Sequence, residues 1–470
     1  MKKTIFAMAA VAASVALAAP EKVLDVRVTS QNGLVEACGR IGKFIEYPSL
    51  ASMALMGLAQ NPLAEEYGAL RPDAGLRFVV YADAATFDMD KVDECVAGAL
   101  LYPTTLSKAE FLAKHGEDAK ETENGAVEYS GDTLVFAEQG GWFALPVGKN
   151  KDVALAKTLL AEAVAPLSGG DIATVDISAA FGPILKKVAE SQQGAVDADA
   201  LKLIDSLGAG SAALRVTDAG IDLAGSFAFA PGSELSKLGG KTLAPGTALA
   251  FAGKDASFAS AYAADMGQAA FDAQVSKVIT VLSQHGIATG SFLKYKKTGS
   301  VARFDFDARE LVKYLTEGGC ALTGTVDELM KDIGDAFGGQ SFTAASPELF
   351  VEEYFAGIAP AEAPAARFAK AMPEAAARPL ASASVFSVYG IFKDVFGQIL
   401  AAFPDEASSE FTAVKSAYSA LPAADGATVA TMTYKDGDRL CSTVRLTPNE
   451  VKGLYQTVLA CIPLYQMFAE

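Results

Sequence analysis

Histidine and tryptophan are almost missing from this chain: its 470 residues include two histidines, His115 and His285, and one tryptophan, Trp142. Cysteine is sparse too, with five residues and no C-x-x-C pair. A zinc site needs several closely spaced imidazole or thiolate ligands, and a dithiol redox centre needs paired cysteines, so neither chemistry is expected. Positive charge is the minority. The 39 lysines and arginines face 56 acids, a formal net charge of −17. A surface this negative repels phosphate backbones and anionic headgroups, which argues against nucleic acid as a partner and against electrostatic membrane attachment. Beyond the N-terminus there is no run of about 18 uncharged apolar residues, so no transmembrane helix is expected in the mature chain.

What is present begins at the N-terminus. Lys2 and Lys3 precede an uncharged apolar stretch from Ile5 to Leu17, and Ala16-Leu17-Ala18 is the small-x-small pattern that signal peptidase cuts. The expectation is a Sec signal peptide over residues 1–18, cleaved between Ala18 and Ala19, with a periplasmic or secreted product. Cleavage one bond later would place Leu17 at −3 and Pro20 just after the cut. As a helix the apolar stretch reaches only about 20 Å, short of a roughly 30 Å hydrocarbon core. The first cysteine after it is Cys38, so a lipid anchor is not expected. In an oxidising compartment cysteines tend to pair. Cys441 with Cys461 is the first candidate disulfide and Cys38 with Cys95 the second. An odd total leaves one over, Cys320 in that assignment.

At 51% hydrophobic and 20% charged residues the chain is globular, with length for two or three domains. Its organising feature is a near-repeat, L-x-P-x-x-x-L-x-F, at Leu70 to Phe78 and again at Leu243 to Phe251. Each copy predicts a strand followed by a helical region, Met89 to Leu101 in the first and Phe258 to His285 in the second. Downstream each half closes similarly. Strand Ala173 to Ile177, helices Phe181 to Ala189 and Asp199 to Leu207, and a hairpin of Ala212 to Val216 with Ile221 to Phe229 form one set. Strand Ser384 to Val388, helices Ile391 to Phe403 and Glu410 to Leu421, and a hairpin of Thr428 to Tyr434 with Arg439 to Leu446 form the other, around Asp436-Gly437. Two further hairpins are expected, Val127 to Tyr129 with Leu134 to Ala137, and Ser291 to Lys296 with Val301 to Asp307. The fold class is therefore α+β, two related halves of antiparallel hairpins packed with amphipathic helices. The division is 19–69 as an N-terminal strand-helix cap, 70–242 as the first repeat and 243–470 as the second. An Ala/Pro-rich connector spans 356–384, where prolines permit only short helices.

Several fragments imitate catalytic motifs. Gly239-Gly240-Lys241-Thr242 ends like a phosphate loop, but Leu235 stands where the first glycine belongs and Pro245 precludes the required helix. Gly208 to Ala213 matches G-x-G-x-x-A with helix and strand in the wrong order, so its glycines read as a helix stop. Ser291-x-x-Lys294 and Lys297-Thr298-Gly299 suggest a penicillin-binding serine enzyme, yet both fall in one hairpin. Asp88, Asp90, Asp93 and Glu94 lack the glycine and glutamate of an EF-hand and suit a helix start. Asp305 and Asp307 share a strand face, as carboxylates of any acidic protein do. His115 and His285 read as helix-end residues.

No motif for chemistry survives, and no cofactor or metal is expected. The leading expectation is an exported, non-catalytic envelope protein with a structural or interaction role. A second is a carrier or sensor of an apolar small molecule, suggested by the wide apolar face of Gly390 to Ala402 with Ile391, Phe392, Val395, Phe396, Ile399 and Leu400. A third is a hydrolase whose residues meet only in space.

Overall fold

The computed structural model describes residues 21–60, 62–148, 151–162, 167, 169–191, 201, 204–233, 235–243, 249–250, 258–263, 280–286, 293–298, 301–306, 328, 341–346, 349–354, 362–402 and 409–469. The expected signal peptide with its Ala18/Ala19 cleavage site lies outside them, as do Cys320, Ser291 and Asp307. The chain divides into two compact units. One comprises Met1–Gly42, Pro48–Thr217 and Leu223–Ser236, the other Lys43–Tyr47, Asp218–Asp222 and Lys237–Glu470. Both combine helices with antiparallel strands, so the fold is α+β.

In the first unit, β1 (Glu21–Ser30) pairs on one edge with β2 (Gly75–Ala82) and on the other with β8 (Asp171–Ile177), both antiparallel. The segment expected to cap the first repeat thus supplies an interior strand. Beyond β2 the sheet continues through β3 (Val96–Tyr102), β7 (Phe143–Val147), β6 (Asp132–Phe136), β5 (Val127–Tyr129) and β4 (Ala119–Glu121). On the other side β8 leads to β9 (Leu207–Thr217) and β10 (Gly220–Phe229). The strands alternate as a half-buried sheet must, and the inward positions of β1 include Val23 and, unusually, Asp25.

The helix Val153–Ala161 starts at Asp152, whose carboxylate accepts from the Leu155 amide at 2.9 Å. Its Ala156 and Leu159 are fully buried against Val79, Leu101, Val135 and Ala144. Burying each leucine stabilises the unit by about 2 kcal/mol. A second cluster is aromatic, with Tyr102 stacked on Phe143 at 5.0 Å and Phe111 beneath Tyr129 and Phe136.

The helical region expected over Met89 to Leu101 is corrected. A 3-10 turn, Met89–Lys91, and one helical turn, Val92–Cys95, lead into β3. The apolar run of β3 has no period that separates helix from buried strand. Gly98 decides it, because a Cβ there would collide with the Val79 carbonyl of β2. Glycines of the Gly208 to Ala213 fragment are likewise strand residues rather than a helix stop. Both Gly208 and Gly210 lie in β9, and a Cβ at Gly210 would strike the Phe227 ring.

In the second unit, β11 (Phe258–Ala263) lies between β15 (Leu349–Tyr354) and β16 (Leu380–Phe386), again antiparallel. β14 (Ser341–Ser346) flanks β15, and β16 continues to β17 (Val429–Asp436) and β18 (Arg439–Leu446). β12 (Leu293–Thr298) and β13 (Val301–Phe306) form a separate hairpin. The start of the stretch expected to be helical, Phe258 to Ala263, is therefore a strand. Of the remainder, the described helical residues are 280–284.

The described part of the Ala/Pro-rich connector is core rather than spacer. Its helix Pro364–Ala371 and 3-10 turn Pro373–Ala377 bury Phe368, Met372 and Ala375 against Ala259, Ala261 and Ala383. The helix Val388–Ala402 packs with Ser409–Ser419 and Pro448–Ala469, and Phe392 stacks on Phe396 at 5.4 Å. Tyr389, Tyr418 and Leu454 complete that contact, so the described part of the wide apolar face is occupied by core packing.

In the near-repeat, Leu70 and Leu243 both form isolated antiparallel bridges, but later positions differ, and residues 244–248 and 251 of the second copy lie outside the described residues. Leu76 and Phe78 are in β2, whereas Leu249 is buried in a turn ahead of β11. The downstream likeness is topological: β8, a helix, β9 and β10 in one unit, β16, two helices, β17 and β18 in the other.

Candidate interaction surface and cleft

The motif-like residues occupy ordinary structural positions. Asp88 caps the turn before Val92–Cys95, its carboxylate accepting from the Asp90 amide at 3.0 Å. Among the described residues no group of three or more His, Cys, Asp or Glu is placed to hold a metal. His115 ends the helix Lys108–His115, with Nε2 2.9 Å from the Glu66 carbonyl. His285 follows residues 280–284 and is buried. Thr242 of the phosphate-loop fragment is followed by Leu243, which forms an antiparallel bridge to Leu380. Cys38, Cys95, Cys441 and Cys461 are not bonded to one another in this structure, which leaves their expected pairings untested. The Cys95 thiol donates to the Thr86 carbonyl at 3.4 Å, and burial pushes the Cys441 thiol up.

Two features stand out instead. The first is the helix Leu50–Ala59, in which no residue is buried. No charged residue occurs between Glu46 and Glu65, so this helix has no polar face to turn outward. Met53, Leu55 and Met56 are 47%, 47% and 57% exposed, and Leu63 beyond the helix is 49% exposed. A helix apolar all round is normally covered on every side. Here Leu50, Ala51, Ala54 and Leu58 are half-buried, and the opposite face meets solvent. Unbranched methionines adapt to partners of varied shape.

The second feature is a cleft of about 580 Å³ in the first unit, between the turn joining β6 to β7 and the C-terminal end of Val153–Ala161. Leu101, Phe136 and Leu160 provide apolar lining, Trp142 an aromatic surface, and Glu138 and Glu162 carboxylates. The turn forms because Gly140 and Gly141 take φ of 71° and 76°, which side chains disfavour. Glu162 is tied to the interior: Arg77 Nη1 donates to it at 2.8 Å, while Arg77 Nε and Nη2 grip Asp25 at 3.0 and 2.7 Å. Burial alone would raise the Asp25 pKa, but hydrogen bonds from Arg77 and Arg27 outweigh it and hold it at about 2.

The second unit has a comparable fastening. Arg445 donates from Nε and Nη2 to Asp222 at 2.7 Å each, and from Nη1 to the Ala371 carbonyl at 2.9 Å, with Glu374 3.1 Å from Nη2. A further carboxylate, Glu450, is fully buried. It accepts from Ser387 Oγ at 2.7 Å and the Tyr389 amide at 2.9 Å, capping Val388–Ala402. Burial raises its pKa, against those hydrogen bonds and the charge of Arg367. Of these carboxylates, Glu162 alone lines the cleft.

Sequence reasoning expected helix within the cap over 19–69 but not the exposure of Leu50–Ala59, and it missed the cleft. The unbroken uncharged stretch after Glu46 was the available signal for the first. A single tryptophan beside a Gly-Gly turn was the faint signal for the second.

No family model matches this chain, and no curated protein does. Among solved structures it is similar in part to three crystal forms of TP0453. Form IV is 11% identical with a TM-score of 0.27, covering 47% of this chain and 82% of that one. Form III is 10% identical at 0.26, covering 46% and 79%, and form I is 11% identical at 0.25, covering 45% and 77%. Likeness at this level carries neither fold nor function across. Among the described residues no helix is long and apolar enough to cross a membrane.

Proposed function

We propose that this is an exported, non-catalytic protein of the cell envelope, which docks another envelope protein through the Leu50–Ala59 helix. The observation that supports this is a ten-residue helix without a buried residue and without a charge. Leaving Leu55 and Met56 about half exposed to water forgoes burial that a partner groove would recover. Charge favours a protein over an anionic membrane. The chain carries a formal −17, and the exposed Glu65 follows the helix, so a groove with a cationic rim complements it.

The test has two arms. N-terminal sequencing of protein recovered from the cell envelope should begin at Ala19; an intact Met1 would remove the export reading. A photo-crosslinking residue at Met56, in living cells, should trap one discrete protein adduct, and the same residue at the exposed Glu138 should not give that adduct. Crosslinks at Met56 only to lipid, or none, would overturn the docking reading.

A further inference from the structure

We propose that the Trp142 cleft is a binding site for an uncharged sugar ring. Independently of the docking helix, its lining combines balanced charge, an aromatic wall and a mixed polar rim. The ions are compensated within the protein. Arg77 Nη1 donates to Glu162 at 2.8 Å, and Lys22 and Arg27 share the Asp25 carboxylate that Arg77 also holds. Lys157 adds a full cation to the lining that contains Glu138. A free ion of either sign therefore gains no net counter-charge there. A wholly apolar ligand fits no better, because seating it would strip water from Glu138, Gln139 and Lys157 and return no hydrogen bond.

What this lining matches is a neutral ligand with one apolar face and a polar edge. Trp142 serves the face: its half-buried indole packs against the cluster that holds Leu101 and also lines the cleft. An indole face is electron-rich, and the axial C–H groups of a pyranose ring carry the complementary partial charge. The rim serves the edge. Carboxylates at Glu138 and Glu162 accept from hydroxyls, the Gln139 amide donates and accepts, and Lys157 spends one of its three hydrogens on the Asn124 carbonyl at 2.8 Å. Because a hydroxyl both donates and accepts, it suits a rim that mixes the two roles. The volume, about 580 Å³, is that of a small-molecule site.

Because Trp142 is the sole tryptophan, its emission reports the cleft directly. The full chain is titrated with the methyl glycosides of glucose, galactose, mannose and N-acetylglucosamine, and in parallel with cyclohexanol, choline and acetate. At least one glycoside should change the emission saturably below about 50 mM, and cyclohexanol, choline and acetate should all bind more weakly than it does. Gln139→Ala alters only an exposed turn, and Lys157→Met keeps the apolar stem of an exposed side chain. Circular dichroism should show both variants folded, and each should weaken that glycoside by about threefold or more. Absence of a saturable response to all four glycosides up to about 50 mM, equal or tighter binding of cyclohexanol, choline or acetate, or unchanged affinity in both folded variants would overturn the proposal.

Discussion

Each unit holds a run of antiparallel strands and a buried arginine paired with carboxylates, but the two differ in chain path and in how dry that pairing is. The first reads β3-β2-β1-β8-β9 and then β10 from Leu223 onward, with β1 to β3 laid down in succession. The second reads β14-β15-β11-β16-β17-β18, where the chain leaves β11, places β14 outside and returns with β15 beside β11. Burial selects which strand faces are covered, and the path between strands is free to vary as long as neighbours stay antiparallel. In the first unit the side chains of Arg77 and Asp25 are 4% and 2% exposed. In the second, Arg445 and Asp222 are 11% and 7% exposed, and Glu374 is 34% exposed.

That contrast predicts unequal sensitivity. Arg77→Met leaves the buried Asp25 carboxylate only the 3.4 Å contacts of Arg27 and Lys22 and should cost the first unit about 3 kcal/mol, read as a lower urea midpoint for Trp142 emission. The corresponding Arg445→Met should cost the second unit less, about 2–3 kcal/mol, because water reaches that cluster more readily. Hydrogen exchange resolved by peptide measures the second loss. Equal losses would mean that dryness does not set the strength of these fastenings.

Acid separates the units by sign. Asp25 has a folded value of about 2 against 3.8 for the ordinary carboxyl, so its contribution is complete above about 4 and is lost as pH falls through about 2. Glu450 is raised above 4.5, so the folded state binds its proton more readily than the unfolded chain does. Stability linked to Glu450 therefore falls as pH rises from 4.5 through its folded value, and acidification toward 4.5 restores it. Exchange protection of Val388–Ala402 should increase as pH falls toward 4.5, while protection of β1 and β2 should decline only below about pH 4. Glu450→Gln keeps an acceptor for the Tyr389 amide and should abolish the first trend at a cost under about 1 kcal/mol. The smallest effect belongs to Leu55→Gln, an exposed position where stability should move by less than about 0.5 kcal/mol, by the same urea titration, while the adduct trapped by the photo-crosslinking residue at Met56 is lost.

Local chemistry was legible in the sequence where it acts over a few residues. The hairpins over β5 and β6, β9 and β10, β12 and β13, and β17 and β18 fall where turn residues placed them; Gly131 and Gly437 take φ of 86° and 61°. Helices Phe181–Ser191, Val388–Ala402 and Ser409–Ser419 follow their apolar periods. Failures cluster where small residues hide the period. β3 and β11 are rich in alanine and glycine, a composition that reads as helix until a neighbouring strand is present to be approached closely. The ion clusters had a signal that went unread: Asp25 sits at an inward position of an alternating strand, where a charge requires a partner. That its partner is Arg77, and that Glu162 brings the pair to a cleft, depends on contacts far apart in the chain.

One consequence concerns how this chain can evolve. Ala259, Ala261, Ala263 and Ala383 are all fully buried in the cluster that holds Phe368 and Met372. Each is the least distinctive residue in the sequence, and each occupies space that a methyl group fills. A valine or leucine there would overpack the cluster at about 1–3 kcal/mol, as much as many losses of a large side chain. The alanines of β11 and β16 that look most replaceable are thus where substitutions should be tolerated least, and drift should accumulate instead on the exposed turns.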